Sequence, residues 1–322
     1  MKTPRIAITN SVLAGVIASL TPATLNALEV YGEINMSRQE ISEGDEDFSS
    51  IRSNGSAIGV TEERQLNHGV AAEFLLEYEI MPDQPVASTG GNSEQEPLTL
   101  SAGYVGLSGR VGQLKIGYFA TPLNIIGEGV DYFTDLHGDK ARYISTGDVD
   151  ISNAVMYTSP EYQGLTARIS HVSYDDTPDG SGDEGRSDGA SMSLSYERGD
   201  LFTGLAYDTE VEGDDIDLIR LVIRYPVGPV SLGALWEQRD VLAESDATTG
   251  WLASAEVSLN TELAVQLQYG ASDNVAENST SASLGATYAM GNDVGLYVFA
   301  TENTSDEIGG ESEVGLGISY VF

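Results

Sequence analysis

From residue 28 onward, apolar and polar side chains alternate with a period of two. Val314, Leu316, Ile318, Tyr320 and Phe322 share one parity, with Gly315, Gly317, Ser319 and Val321 between them. Leu263, Val265, Leu267 and Tyr269 alternate with Ala264, Gln266 and Gln268, and Ala282, Leu284, Ala286 and Tyr288 alternate with Ser283, Gly285 and Thr287. Ile219, Leu221, Ile223 and Tyr225 alternate with Arg220, Val222 and Arg224. A strand sends successive side chains to opposite faces, so this rhythm predicts strands with one greasy and one wet face. Sixteen candidates follow: 28–38, 55–64, 69–81, 98–108, 112–119, 152–159, 164–175, 187–198, 201–209, 216–226, 229–239, 249–259, 262–271, 279–290, 293–302 and 312–322.

The connections alternate as well. Arg64–Gly69, Ser108–Gly112, Ser159–Gly164, Arg198–Leu201, Pro226–Pro229, Leu259–Glu262 and Met290–Asp293 are short. Between them lie long acidic stretches, including 39–54, 82–97, 120–151 and 176–186. Seven short turns and eight loops join sixteen antiparallel strands, and an even count lets the first and last strands pair. An open edge is untenable in lipid, so the expectation is an all-β, 16-stranded antiparallel transmembrane β-barrel with short periplasmic turns and long extracellular loops. Aromatic residues near the ends of several apolar faces suit an interfacial girdle, although aromatics also fill soluble cores.

Composition narrows the picture. With 15 Lys+Arg against 50 Asp+Glu, the formal net charge is −35, which argues against nucleic-acid binding and against a polybasic lipid-docking patch. The chain has no Cys and 3 His, scattered at His68, His137 and His171, so a structural zinc site is not expected and no metal or cofactor is assigned. Lys2 and Arg5, the apolar stretch from Ser11 to Leu20, Pro22 and a cut after Ala27 read as a secretory signal over 1–27, leaving 28–322 as one barrel domain. No later run of 18 apolar residues suggests a membrane-spanning helix.

Several motifs then point to a family. Tyr104-Val105-Gly106-Leu107-Ser108-Gly109, followed by Gly112-Gln113-Leu114-Lys115-Ile116-Gly117 and Thr121-Pro122, resembles the Gram-negative trimeric general porins. So do Asn153-Ala154-Val155-Met156-Tyr157-Thr158-Ser159-Pro160-Glu161-Tyr162-Gln163-Gly164, the start Val30-Tyr31-Gly32, and the terminal Phe322. The resemblance implies a homotrimer in outer-membrane lipid and lipopolysaccharide, passive diffusion of small polar solutes and ions, and recognition of Phe322 by the barrel-insertion machinery. It also implies that loop 120–151 folds into the lumen as a constriction.

On that basis Glu128, Asp131, Asp135 and Asp139, together with Asp148, are candidates for an acidic constriction loop that also carries Lys140 and Arg142. Parity makes Lys115, Arg168, Arg220 and Arg224 the candidate basic wall; a lipid-facing Arg or Lys at mid-membrane would cost ~2–4 kcal/mol. Charges of opposite sign would set up a transverse field that sorts solutes by charge and dipole. Tyr118, Phe119 and Met156 stand where relatives show basic or polar residues, which weakens the basic side and, with the acidic chain, predicts cation preference.

Competing readings are a substrate-selective channel for a sugar or cationic nutrient, an outer-membrane hydrolase, and a secreted soluble β protein. A selective channel would show an aromatic ladder, and only Tyr31, Tyr297 and Phe299 have lumen parity. A hydrolase would need a base beside a nucleophile, and no Gly-x-Ser-x-Gly elbow is present. Asp175-Asp176-Thr177-Pro178-Asp179-Gly180 opens like a calcium loop, but Arg186 takes the position of the bidentate Glu. Asn278-Ser279-Thr280 fits the glycosylation pattern, which the bacterial resemblance discounts.

Overall fold

A computed structural model describes residues 28–44, 46–83, 98–174, 186–242, 246–307 and 309–322. The expected signal over 1–27, the calcium-like run 175–180 and most of the stretches 82–97 and 176–186 lie outside the described residues.

The chain opens with β1 (Glu29–Glu43), β2 (Glu46–Ser53), β3 (Ala57–Gln65), β4 (Ala71–Ile80), β5 (Leu98–Gly109) and β6 (Gly112–Ala120). Two short helices, α1 (Pro122–Gly127) and α2 (Lys140–Tyr143), precede β7 (Asp150–Thr158) and β8 (Leu165–Val172). Then come β9 (Gly189–Arg198), β10 (Leu201–Thr209), β11 (Ile216–Val227), β12 (Val230–Val241) and β13 (Thr248–Ser258). The last four strands are β14 (Leu263–Ser272), β15 (Ser279–Ala289), β16 (Val294–Ser305) and β17 (Gly309–Val321).

Every neighbour from β3 to β17 pairs antiparallel with the next, and β1 pairs with β17 through Glu33↔Val321 to Glu43↔Glu311, which closes the sheet. All sixteen expected strands are present, and the barrel has sixteen staves. The second stave differs from the expectation of a loop over 39–54. There β1 continues to Glu43 and β2 returns along it from Met36↔Ser53 to Glu43↔Glu46. Below, Glu33 pairs with Ala57, so β2 and β3 form one stave interrupted by a bulge at Asn54, Gly55 and Ser56. Polar Glu46–Ser53 lacks a continuous apolar parity, which is why alternation does not reveal it.

Parity sorts the two faces as expected. Leu284, Val298, Leu316 and Ile318 point outward, and Leu316 is 62% exposed, whereas Ser283 and Thr301 on the inner face are buried. Exposing a Leu, Ile or Val to water forgoes ~1.5–3 kcal/mol per side chain, so an outer face studded with them belongs in lipid. Trp251 and Tyr269 lie near the long-loop end with ring centroids 5.6 Å apart; Tyr157, Tyr225, Tyr288, Tyr320 and Phe322 lie toward the short-turn end. Two girdles frame the apolar belt. Phe322 seals the closing seam: its backbone exchanges two hydrogen bonds of 3.0 Å with Gly32. A Cβ at Gly32 would lie 2.7 Å from the Phe322 ring, so this position requires glycine.

Candidate functional site

The functional geometry is set by the segment 121–149, which leaves β6 and folds into the barrel instead of over its rim. Pro122 suits the first helical position of α1, and Thr121 caps it by accepting from the Asn124 amide at 3.0 Å. Asp139 caps α2, accepting from the Ala141 amide at 2.8 Å. Leu123, Ile126, Val130, Tyr143 and Ile144 then pack on inner-wall Ala206, Leu218, Val222, Leu235 and Leu252. These wall residues share the lumen parity with polar neighbours, so the inner face carries an apolar seat for the loop.

Arg220 fastens that seat. It is 0% exposed, as is Glu237, its cross-strand neighbour. Its Nε donates to Glu237 Oε2 at 2.8 Å, and its Nη1 donates to Asp148 Oδ1 at 2.8 Å and to the Leu123 carbonyl at 3.2 Å. Another hydrogen bond runs from Nη2 to Ser145 Oγ. Glu237 in turn accepts from the Thr146 amide at 3.0 Å, and Lys140 Nζ lies 2.8 Å from Asp148 Oδ2. One guanidinium thus holds both ends of the loop. Burial alone would raise the Asp148 carboxyl, but Arg220 and Lys140 outweigh it and hold the group at about 2.

The expected acidic residues divide by role. Asp131 is buried and accepts from the Phe133 amide and the Lys140 amide at 2.7 Å each and from Gln268 Nε2 at 2.9 Å. Burial and the neighbouring Asp139 push its carboxyl upward. Asp139 also accepts from the Asp135 amide at 2.8 Å. These two shape the loop. Asp135 lies against the β2–β3 bulge, where a Cβ at Gly55 would collide with its carboxylate. Glu128 is half-buried and faces Arg224, Arg168 and Lys140; burial raises it to about 7 against the pull of these cations.

The expected basic residues divide as well. Arg220 is the clamp. Lys115, Arg168 and Arg224 are half-buried on the inner faces of β6, β8 and β11, with no ion pair within 4 Å among the described residues. Lys115 Nζ lies 4.1 Å from the Tyr104 ring centroid and the Arg224 guanidinium 4.2 Å from that of Phe202, so aromatic faces support both cations. On the neighbouring arc stand Glu33, Glu73 and Glu77, with Tyr31 Oη donating to Glu77 at 2.7 Å and Gln113 Nε2 donating to Glu73 at 2.6 Å. The acidic arc on β1 and β4 was not foreseen, although its parity was readable.

Met156 and Phe119 sit together in an apolar cluster with Ile151, Val172 and Val211. The positions that break the resemblance therefore hold a second patch of greasy lumen wall and the inward-leaning Val211. Tyr297 and Phe299 stack at 6.2 Å and are covered by Phe133 and Leu136 from the loop, so they form no exposed ladder.

The description of Gram-negative porins matches residues 7–307. The chain belongs to the Gram-negative porin family. This porin therefore resides in the outer membrane. A search of curated proteins finds no match. Among solved structures, the anion-selective porin from Comamonas acidovorans is similar in fold at 17% identity, with a TM-score of 0.72 over 92% of this chain and 100% of that one. Salmonella typhi OmpF in complex with daunomycin gives 16% identity and a TM-score of 0.70 over 92% and 98%. The trimer form of in-vitro folded OmpT, an outer membrane protein of Vibrio cholerae, gives 14% and 0.67 over 93% and 100%. At these identities the likeness is one of fold; the porin's lumen residues are its own.

Proposed function

We propose that this porin is a passive, water-filled channel for small hydrophilic solutes and ions, working as a homotrimer and not as an enzyme, with a preference for cations. The observation that carries the reading is the lumen: a closed wall, greasy outside, whose inner face opposes charged groups across a loop clamped within it. Glu128 stands opposite Arg168 and Arg224, so a solute passing the loop crosses a transverse field, and its charge and dipole set its rate. Lipid and lipopolysaccharide would meet the apolar belt, and the insertion machinery would read the seam-sealing Phe322.

Charge balance supports the cation preference. Arg220 is neutralised by Glu237 and Asp148, so it does not act on passing ions. Lys115, Arg168, Arg224 and Arg52 on the inner face then stand against Glu128 and the carboxylates of Glu33, Glu73, Glu77 and Glu79, five carboxylates to four cations. The fold does not set this preference, since an anion-selective porin shares it. The reversal potential of the purified protein in a planar bilayer under a salt gradient tests it. A potential of the sign for cation permeation is expected; the opposite sign overturns the preference and leaves the channel intact.

Loop residues cover Tyr297 and Phe299, and two further inner-wall aromatics, Tyr104 and Phe202, which parity did not single out, each stack against a wall cation; separate cation-bearing faces of this kind favour ions over a sugar ladder.

A further inference from the structure

The outer wall breaks its own rule on one arc. Arg38 and Glu40 share the outward parity of Ile34 and Met36 on β1, and their side chains are 59% and 62% exposed. Arg38 pairs with Leu316 on one side and Ile51 on the other, and Glu40 with Val314 and Ser49. Ile34 pairs with Tyr320 of the short-turn girdle, and Arg38 and Glu40 follow it by four and six residues. At ~3.3 Å per residue and a tilt of about 40°, their Cα atoms lie ~10 and ~15 Å above that girdle, inside an apolar band ~25 Å tall. The two side chains meet at 2.7 Å, with Ser49 Oγ 3.5 Å from the guanidinium, instead of reaching toward the two interfaces. Outward charges elsewhere on the described strands, such as Glu62, Arg64 and Glu302, stand toward strand ends, and the opposite wall carries Leu205, Leu221 and Ile223 mid-strand.

Hydrocarbon supplies no hydrogen-bond partner, so lipid against this strip would leave most of the guanidinium N–H groups and carboxylate lone pairs unsatisfied. A protein surface that carries both signs of charge and hydroxyls satisfies them. The strip is itself such a surface: beside the Arg38–Glu40 pair it carries Ser42, Asp47, Ser49 and Ser53, donors and acceptors in one band. Rotated copies of one chain present identical strips, so the guanidinium of one copy finds carboxylates and hydroxyls on the next.

We infer that the outer face of β1 and β2 is covered by a second copy of this chain, with the Arg38–Glu40 strip inside the contact and the β10–β11 wall facing lipid. The inference rests on the homotrimer reading and adds which arc of the barrel turns toward the three-fold axis. Between copies the pair is shielded from lipid and its remaining donors are used, so a like charge placed there weakens assembly and not the barrel.

The chain has no Cys, so a single introduced cysteine carries a spin label at one known place. Glu46→Cys labels the exposed tip of the β1–β2 hairpin, and Leu221→Cys labels the opposite wall. Dipolar spectroscopy of the full-length chain in phosphatidylcholine vesicles should give an inter-copy distance at least about 1.5-fold shorter for Glu46→Cys, because one wall lies at the axis and the other a barrel width out. Arg38→Glu should lower the temperature at which the trimer band gives way to monomer, with the monomer's own heat-induced gel shift unchanged. Equal or reversed distances, as lipid or an unrelated protein over the strip would give, overturn the assignment while the trimer stands. An unmoved trimer transition overturns it too. If Arg38→Glu does not insert, the distances decide alone. Absence of inter-copy coupling at both sites defeats the homotrimer reading, and the inference falls with it.

Discussion

Replacing Arg220 with methionine removes the guanidinium while keeping most of the aliphatic packing. The loss is not one hydrogen bond. Asp148 and Glu237 face Arg220 from opposite sides; Glu237 is fully buried and would lose its counter-charge, while Asp148 would keep only Lys140. Breaking a buried pair by removing one partner costs ~3–5 kcal/mol. The Leu123 carbonyl and Ser145 also lose their donor. The barrel staves do not depend on these contacts, so the cost falls on docking of 121–149. A penalty of that size changes the docked-to-undocked ratio by roughly 10²- to 10⁴-fold. The Leu123 and Thr146 amides donate to Ser191 and Glu237, so their protection reports docking. Hydrogen exchange by mass spectrometry should show peptides spanning 121–149 exchanging at least tenfold faster in Arg220→Met, with strand peptides unchanged. The double variant Arg220→Met/Glu237→Leu, with one unpaired buried charge fewer, should recover part of the protection. Unchanged exchange in the single variant would refute the clamp.

Three further outcomes follow from the same geometry. Asp148 is held near 2, so its contribution of ~2 kcal/mol to loop docking is present above about pH 4 and lost as pH falls through about 2; Asp148→Asn should abolish that acid-range rise in loop exchange. Gly55 has φ of +68° and a closed approach to Asp135, so Gly55→Ala should cost at least ~1–2 kcal/mol, read as a lower temperature for the heat-induced gel shift, with a changed unit conductance. Glu128→Gln removes the loop carboxylate facing Arg168 and Arg224 and should move the reversal potential toward anions; an unmoved potential would mean that Glu128 does not face the path.

The barrel was legible because its defining constraint is periodic. Lipid outside and water inside impose alternation on every stave, and the seven short turns fix the pairing between them. Glu46–Ser53 escaped because its outward positions Asp47 and Ser49 are polar, so parity carries no signal there. The interior of the barrel was harder to read, because the loop's contacts obey no period. Parity placed Arg220 on the lumen face, which is where it is, but not beneath the loop. The register set by the turn after Val227 would have put Glu237 opposite it and exposed the pair. Nothing in the spacing of His137 and Glu311 brings them within 2.8 Å of each other; only the path of the loop does. Phe119 and Met156 drew attention as departures, and their common cause is an apolar patch built from neighbouring strands.

The most direct test of the central claim is electrical: purified protein added to a solvent-separated planar bilayer, with current followed at fixed voltage. Discrete, ohmic current increments and closure in three equal substeps are expected. A protein that stays soluble without detergent and passes no current would contradict it.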